Sequence, residues 1–407
     1  MLDERLLRER PSVARAGLRR RHAGAGAEAA LDAWLEFDAR RRELAAERDR
    51  AALAVAAGTA TRDGLDLAQR ALEQAEIAAR ICLLALPNLP DPRVPDGVTA
   101  AENIEVNRWG TPPAFAFTPR PHWELGAALG LLDAARAARM AGARFPLLMG
   151  AGARLVRALA ALMLDHHAAH GYVEVAPPYL LRASALEATG HLPRFADDLY
   201  ALATDDLVLS PTAEVQLVAL HAGETLPAAR LPLAYTAYAS AFRRESGSAG
   251  RATRGLIRQH QFDKVELVRI TAPEGGDAAF GAIQADAEDI LRALELPYRV
   301  VALCAGDLPF SAQRTHDLEV WMPSQGGYVE ISSISDCGPF QARRARLRYR
   351  PEGGGRARFP HTLNGTALAI GRTLAALLEN GQREDGSVRL PAALAAYAGF
   401  AELRADA

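Results

Sequence analysis

The sequence predicts an α+β protein: an antiparallel sheet with flanking helices, preceded by an antiparallel coiled-coil arm. Three observations predict it. A helical pattern with heptad spacing fills the first 85 or so residues. Beyond a proline-rich linker, strand-like stretches follow one another as hairpin neighbours, without regular βαβ alternation. Neither GxGxxG nor GxxxxGK[ST] occurs in a strand-to-helix context, so a Rossmann or P-loop nucleotide site is not expected.

The arm opens at Leu31, Trp34 and Leu35 and runs through DARRRELAAERDRAALAVAA. Turn formers over Ala57–Gly64 interrupt it. In the second helix Leu65, Leu72 and Ala79 recur every seventh residue, as do Ala68, Ala75 and Cys82, and the two series make a seam. Such a hairpin serves either for packing and dimerisation or as an arm that reaches a large partner. Carboxylates slightly outnumber arginines over Leu31–Ala85; only Arg40–Arg50 is locally basic, with Arg40, Arg41, Arg42, Arg48 and Arg50. LPNLPDPRVPDG ends the hairpin, which places a boundary near residue 98: a helical domain over 1–98 and a second domain over 99–407.

The second domain opens with GARFPLLMG as a strand candidate. The helix ARLVRALAALMLDHHAAHG follows, then the strand YVEVAPPYLL, broken by Pro177 and Pro178. LVLSPTAEVQLVALHA runs strand into helix. LAYTAYASAFRRE, GLIRQHQFDKVELVRI, LPYRVVALCAGD and THDLEVWMPSQGGYVEISSISD are strand-rich, and LNGTALAIGRTLAALLEN reads as a final helix.

The 407 residues are 49% hydrophobic and 24% charged, the composition of a globular protein with a core to bury. No long apolar run suggests a membrane span, and the charged start is unlike a signal peptide, so a cytoplasmic enzyme is expected. Cys82, Cys304 and Cys337 lack CxxC spacing, which speaks against disulfides and thiolate zinc. With a net charge of −2, nucleic-acid contact has to be local. Lys264 is the only lysine among 47 basic residues; coding bias accounts for that, and no function is read from it.

Four clusters carry chemistry. Ala241–Glu266 gathers Arg243, Arg244, Glu245, Arg251, Arg254, Arg258, Lys264 and Glu266 around Gly247, Gly250 and Gly255. It suits a polyphosphate, since guanidinium makes bidentate contacts to phosphate oxygens; a solvated surface hairpin is the plainer reading. His361–Arg372 places an arginine on an amphipathic helix after a small-residue turn, where a capped core helix is the alternative. Tyr328–Asp336 is a strand expected to carry Glu330, Ser332 and Ile334 on different faces, and its carboxylate and hydroxyls suit a nucleotide's Mg²⁺. In Ser210–Glu214, Thr212 stands where a helix cap is expected.

Together these strings resemble the bacterial-type seryl-tRNA synthetases, which are class II aminoacyl-tRNA synthetases. LPNLP, NRWGTP, TGHLPRFADDLY, LSPTAE, FRRESGSAGRATRGLIRQHQFDKVE, DLEVW, EISSISD, FQARR and HTLNGTALAIGRTLAALLEN carry the resemblance over essentially the whole chain. It implies a class II antiparallel sheet and two steps: seryl-adenylate from serine and ATP, then transfer to the 3′ end of serine tRNA. By resemblance Arg243 meets the α-phosphate and Arg372 the γ-phosphate, both catalytic. Arg244, Glu245 (near the adenine), Arg258 and Phe262 (stacked on adenine) join the ATP site. So does the strand Glu330, Ile331, Ser332, Ser333, with Glu330 and Ser333 at Mg²⁺. Thr212, Ala213 and Glu214 lie over the serine amino group, and Glu266 and Thr366 hold the serine side chain. The resemblance further implies a homodimer joined through GYVEVAPPYL and an arm that grips tRNA, with no zinc. Arg314, His316, Asp336 and Ala367 depart from the family's lysine, tyrosine, asparagine and glycine. Two other classes fit many of the same residues: a paralogue that passes activated serine to a biosynthetic pathway, and a non-catalytic binding relative.

Overall fold

The computed structural model describes residues 1–246 and 254–405. Two short helices, Glu4–Glu9 and Pro11–Arg20, precede the arm. The arm is α1 (Gly24–Ala56) and α2 (Arg62–Ala85), of 33 and 24 residues, or about 50 and 36 Å at 1.5 Å per residue. Gly58, at φ 74°, turns the chain between them, and Thr61 caps α2 by accepting from the Gly64 N–H at 3.4 Å. The predicted seam packs: Leu72, Ala75 and Ala79 are buried and Leu65, Ala68 and Cys82 half-buried. The helix begins at Gly24, seven residues before its predicted opening at Leu31.

Leu31 and Trp34 are fully buried at the base of the arm with Leu7, Leu18, Leu83 and Phe340. Trp34→Ala would cost about 3–5 kcal/mol there. Arg21 joins this base to the second domain, donating to the carbonyls of Asn88 (3.1 Å), Ala312 (2.9 Å) and Leu308 (2.8 Å). Arg344 reaches back to the Leu84 carbonyl at 2.7 Å.

The second domain is built on one eight-stranded sheet. In chain order its strands are β1 (Ile104–Trp109), β2 (Val173–Glu174), β3 (Leu233–Phe242) and β4 (Gln261–Thr271), then β5 (Tyr298–Ala302), β6 (Arg314–Met322), β7 (Gly327–Asp336) and β8 (His361–Ala369). They lie in the order β1-β5-β6-β7-β8-β4-β3-β2. Every pairing is antiparallel except that of β2 with β3. Three helices matter below: α3 (Ala151–Ala169), α4 (Gly276–Ala293) and α5 (Ile370–Asn380). Their apolar faces pack into the main core through Leu159, Met163, Ile283, Ile290, Leu374 and Leu378. The first part of LNGTALAIGRTLAALLEN is strand rather than helix: β8 runs to Ala369 before α5 begins. Residues 142–150 form no strand, only an isolated bridge between Leu132 and Leu148. The α4 helix had no counterpart among the elements read from the sequence. None of the described helices is long and apolar enough to cross a membrane.

Candidate active site

Sheet register assembles the site. Phe262, Lys264 and Glu266 alternate along β4, so all three face one side and line one cleft. In β8 Thr366 lies opposite Glu266, and Asn364 lies opposite Ser335 of β7. Strict alternation would keep residues 330, 332 and 334 on one face. The register against β6 slips by one at Ile331, and this bulge separates them. Glu330 and Ser333 therefore face the cleft together, while Ser332 and Ile334 turn into the core.

The arginines come from three elements. Arg243, just beyond β3, donates through Nε to the Pro211 carbonyl at 3.1 Å, and its guanidinium lies 5.1 Å from the Phe262 ring centroid. Burial lowers its pKa, against the opposing charges of Glu245, Glu266 and Glu330. Arg372, in the first turn of α5, donates through Nε to the Ile257 carbonyl at 3.1 Å and lies 3.3 Å from the Glu330 carboxylate. Glu245 takes a left-handed backbone conformation (φ 51°), and its carboxylate meets Arg258 at 3.1 Å. Gly255, at φ 73°, returns the chain so closely that a Cβ there would sit 2.1 Å from His122 Nε2. The same nitrogen accepts from the Leu256 N–H at 3.0 Å, and Glu379 holds the ring from behind at 2.8 Å. Two buried side chains thus fix the segment whose carbonyl aims Arg372.

The same cleft holds two further carboxylates. Glu214 follows Thr212, whose hydroxyl accepts from the Glu214 N–H at 3.3 Å, so the cap and the cleft role coincide. Burial, then the neighbouring charge of Glu266, pushes Glu214 up to about 7, although Gln341 donates to it at 2.6 Å. Burial raises Glu266 as well, against the ion pair it makes with Lys264. His191 also lines the cleft; burial, then Arg243 and Lys264, pull its pKa down to about 3, so the ring is neutral.

Behind Ser333, its partner Asp317 of β6 is half-buried, with a buried Oδ1 that is unpartnered among the described residues. Burial, then the Glu330 charge, holds Asp317 well above the usual carboxylate range. Glu330, Ser333 and this orphaned oxygen fit a divalent cation carried on phosphates, which takes one or two protein carboxylates.

Thr212, Glu214, Arg243, Glu245, Arg258, Phe262, Glu266, Glu330, Ile331, Ser333, Thr366 and Arg372 therefore share this cleft, as expected. Three residues expected there do not line it. Arg244 turns away onto Tyr200, 4.7 Å from the ring centroid, and donates to the Leu199 carbonyl at 2.8 Å. Ser332, reversed by the bulge, donates to the Thr366 carbonyl inside the sheet. Ala213, in the first turn of its helix, packs in the core with Leu217 and Ala237. Gly247, Gly250 and Arg251 of the expected phosphate loop lie outside the described residues. Ala367 is the extra residue at the β8 bulge and is buried in the core. Arg314 and His316 face α4 instead, through Asp277 (2.9 Å) and Gln284 (2.8 Å).

Sequence reasoning missed Asp317, His191 and Gln341; it placed Lys264 in the arginine-rich cluster but gave it no role. Lys264 alone had a further signal. A composition that puts arginine at every other basic position keeps a lysine inside this cleft, where a compact ammonium fits against Glu266.

Residues 200–381, which carry every lining residue of the cleft except His191, match the family described as the tRNA synthetase class II core domain (G, H, P, S and T). The chain is 50% identical to the serine–tRNA ligase of Acidithiobacillus ferrooxidans, over 98% of both chains. It is 49% identical to that of Synechococcus elongatus, again over 98% of each. Among solved structures it superposes on the seryl-tRNA synthetase from Pyrococcus horikoshii complexed with ATP with a TM-score of 0.90, at 33% identity and 100% coverage of both chains. A sheet of this order, a cleft lined by both arginines and carboxylates, and these end-to-end likenesses agree: the chain belongs to the serine–tRNA ligases, the seryl-specific class II aminoacyl-tRNA synthetases.

Proposed function

We propose that the cleft joins L-serine and ATP into seryl-adenylate and pyrophosphate, and that the seryl group then passes to the 3′ end of serine tRNA. One observation carries the reading: two guanidiniums anchored on carbonyls and the carboxylates Glu214 and Glu266 line a single cleft. The reaction needs no enzyme nucleophile, because the serine carboxylate attacks the α-phosphorus and pyrophosphate leaves. The chain has to align the two substrates and meet the charge that grows on the phosphates. Arg243 serves the α-phosphate and Arg372 the γ-phosphate. Phe262 offers a stacking face for adenine and Glu245 a carboxylate at its edge.

Glu214 and Glu266 face the serine ammonium, and Thr366 and Glu266 take the hydroxyl. Alanine leaves those buried groups unpaired and is rejected on that account. Glu330 and Ser333 would hold Mg²⁺, which when bound neutralises phosphate charge. Lys264 offsets the charge of Glu266 and keeps it ionised for the incoming ammonium.

The setting is the cytoplasm and the assembly a homodimer. β2 is a short edge strand, and Val173, Tyr179 and Leu180 leave apolar surface exposed around Pro177 and Pro178. An isologous contact would cover it. Light scattering should then give twice 43.6 kDa, and an active monomer contradicts the assembly. The function is tested by amino-acid-dependent ATP–pyrophosphate exchange over all twenty amino acids. Serine should exceed alanine, glycine and threonine, and another substrate in first place would overturn the assignment.

A further inference from the structure

We infer that the C-terminal end of α3 and the face of α4 form a site for a divalent first-row transition ion, separate from the ATP cleft. His166 and His170 stand one turn apart, at i and i+4, on the same side of the α3 terminus. Asp286 approaches from α4, and one donor atom from each of the three lies within 4.8 Å of the other two. Two imidazoles and a carboxylate are a donor set that suits zinc, nickel, cobalt or copper better than magnesium.

The surroundings are those of a prepared site. Tyr172 donates to Asp286 Oδ2 at 2.7 Å, and Arg269 lies 3.4 Å from the same oxygen. Those contacts hold Oδ2 and leave Oδ1 towards the histidines, 2.8 Å from His170 Nδ1. His166 Nε2 is buried and meets no hydrogen-bond partner among the described residues. A buried imidazole nitrogen without a partner is disfavoured, and a metal–nitrogen bond satisfies it as well as a hydrogen bond does. The two rings are 4.1 Å apart, close enough for both to reach one ion. His170 is exposed, which gives an entry path, and water can take the remaining position. Asp289, one turn along α4, acts electrostatically on His166 and adds negative charge nearby. None of these residues lines the ATP cleft. The bound ion would clip α3 to α4 immediately before β2, and so brace the edge strand.

The test is equilibrium dialysis of the tag-free full-length chain against micromolar Zn²⁺, with Co²⁺ as a spectroscopic probe. One ion per chain is expected, with visible Co²⁺ bands typical of nitrogen ligation and a raised unfolding temperature in Zn²⁺. His170→Ala, at an exposed position, should abolish all three, and Tyr172→Phe should weaken binding about tenfold by freeing the carboxylate. Serine-dependent pyrophosphate exchange should be the same in parent and His170→Ala. The proposal is overturned if the parent takes up no zinc. It is equally overturned if zinc uptake and the thermal shift persist in His170→Ala, which would place the ion elsewhere.

Discussion

Arg243 of the cleft and the arginines of the arm are the same residue type held in opposite ways. In the cleft, Arg243 and Arg372 are both anchored through Nε on carbonyl oxygens; Arg372 also meets the Glu330 carboxylate at 3.3 Å, whereas Arg243 makes no ion pair among the described residues. In the arm, Arg41 and Arg42 both meet the carboxylate of Asp38, and Arg41 also meets Glu4 at 3.0 Å. Arg40 lies against Glu43 and Glu47, and Arg48 against Asp49; of the five, Arg50 alone makes no ion pair among the described residues. Asp38 is buried and also takes Arg8, so this cluster fixes the arm to its base. A basic stretch in a sequence counts charges, whereas affinity for an anion depends on charges left uncompensated.

The largest effect expected from that contrast is at Arg243. Arg243→Ala should lower serine-dependent pyrophosphate exchange by about 10² or more, the scale of losing one preorganised donor, with folding little changed. Exchange within a few fold of the parent would show that carbonyl anchoring does not mark a phosphate site.

Next comes Lys264→Arg, which keeps the charge but forces a larger, planar group against Glu266. It should cut kcat/KM for serine by about tenfold, the effect of 1–3 kcal/mol of overpacking, and leave KM for ATP nearly unchanged. A variant equal to the parent would mean that this lysine survives by chance.

The pH dependence follows from Glu214. With its carboxyl pushed up to about 7, rising pH ionises it through that value, and an ionised Glu214 holds the ammonium better. KM for serine should therefore fall by about tenfold from pH 6 to 8 as the charged fraction rises. The stability of the empty fold moves the other way. The folded state retains a proton that the unfolded chain has lost, so this contribution declines as pH rises between the two pKa values. A flat KM profile would show that Glu214 does not meet the substrate's charge.

The smallest effect belongs to the arm. Replacing Arg40 and Arg50 with alanine should lower the salt slope of tRNA binding by about one or less per lost phosphate contact. Replacing Arg41 should instead lower thermal stability, because it ties Asp38 to Glu4. If Arg41→Ala alters only the salt slope, its ion pairs are not structural.

Much of this was legible in the sequence, and the limits have physical causes. Heptad spacing revealed the arm because burial of one seam leaves a periodic trace, and the long motif strings located the cleft. The resemblance put Phe262 and Glu266 in one site, but the bulges at Ile331 and Ala367 arise from pairing with distant strands. That pairing is why Ser332 read as a cleft residue and lies in the core. Asp317 and Gln341 were invisible for the same reason, since each reaches the site through elements remote in sequence. Lys264 left a compositional trace that a reading by motif passed over. The arm illustrates the converse: its basic stretch was plain, but its partners Glu4 and Arg8 lie 30 or more residues upstream.

The most direct test of the division between cleft and arm removes the arm's distal half. Deleting residues 46–70 and bridging Ala45 to Ala71 spares Leu31, Trp34, Ala79 and Leu83, which pack at the base. Serine-dependent pyrophosphate exchange and charging of serine tRNA are then measured on the same preparation. The account predicts exchange within about twofold of the parent, since every group proposed for adenylation lies beyond residue 211, and a clear loss of tRNA charging. Exchange that collapses together with charging would contradict it, because the chemistry would then depend on a region that contributes nothing to the cleft.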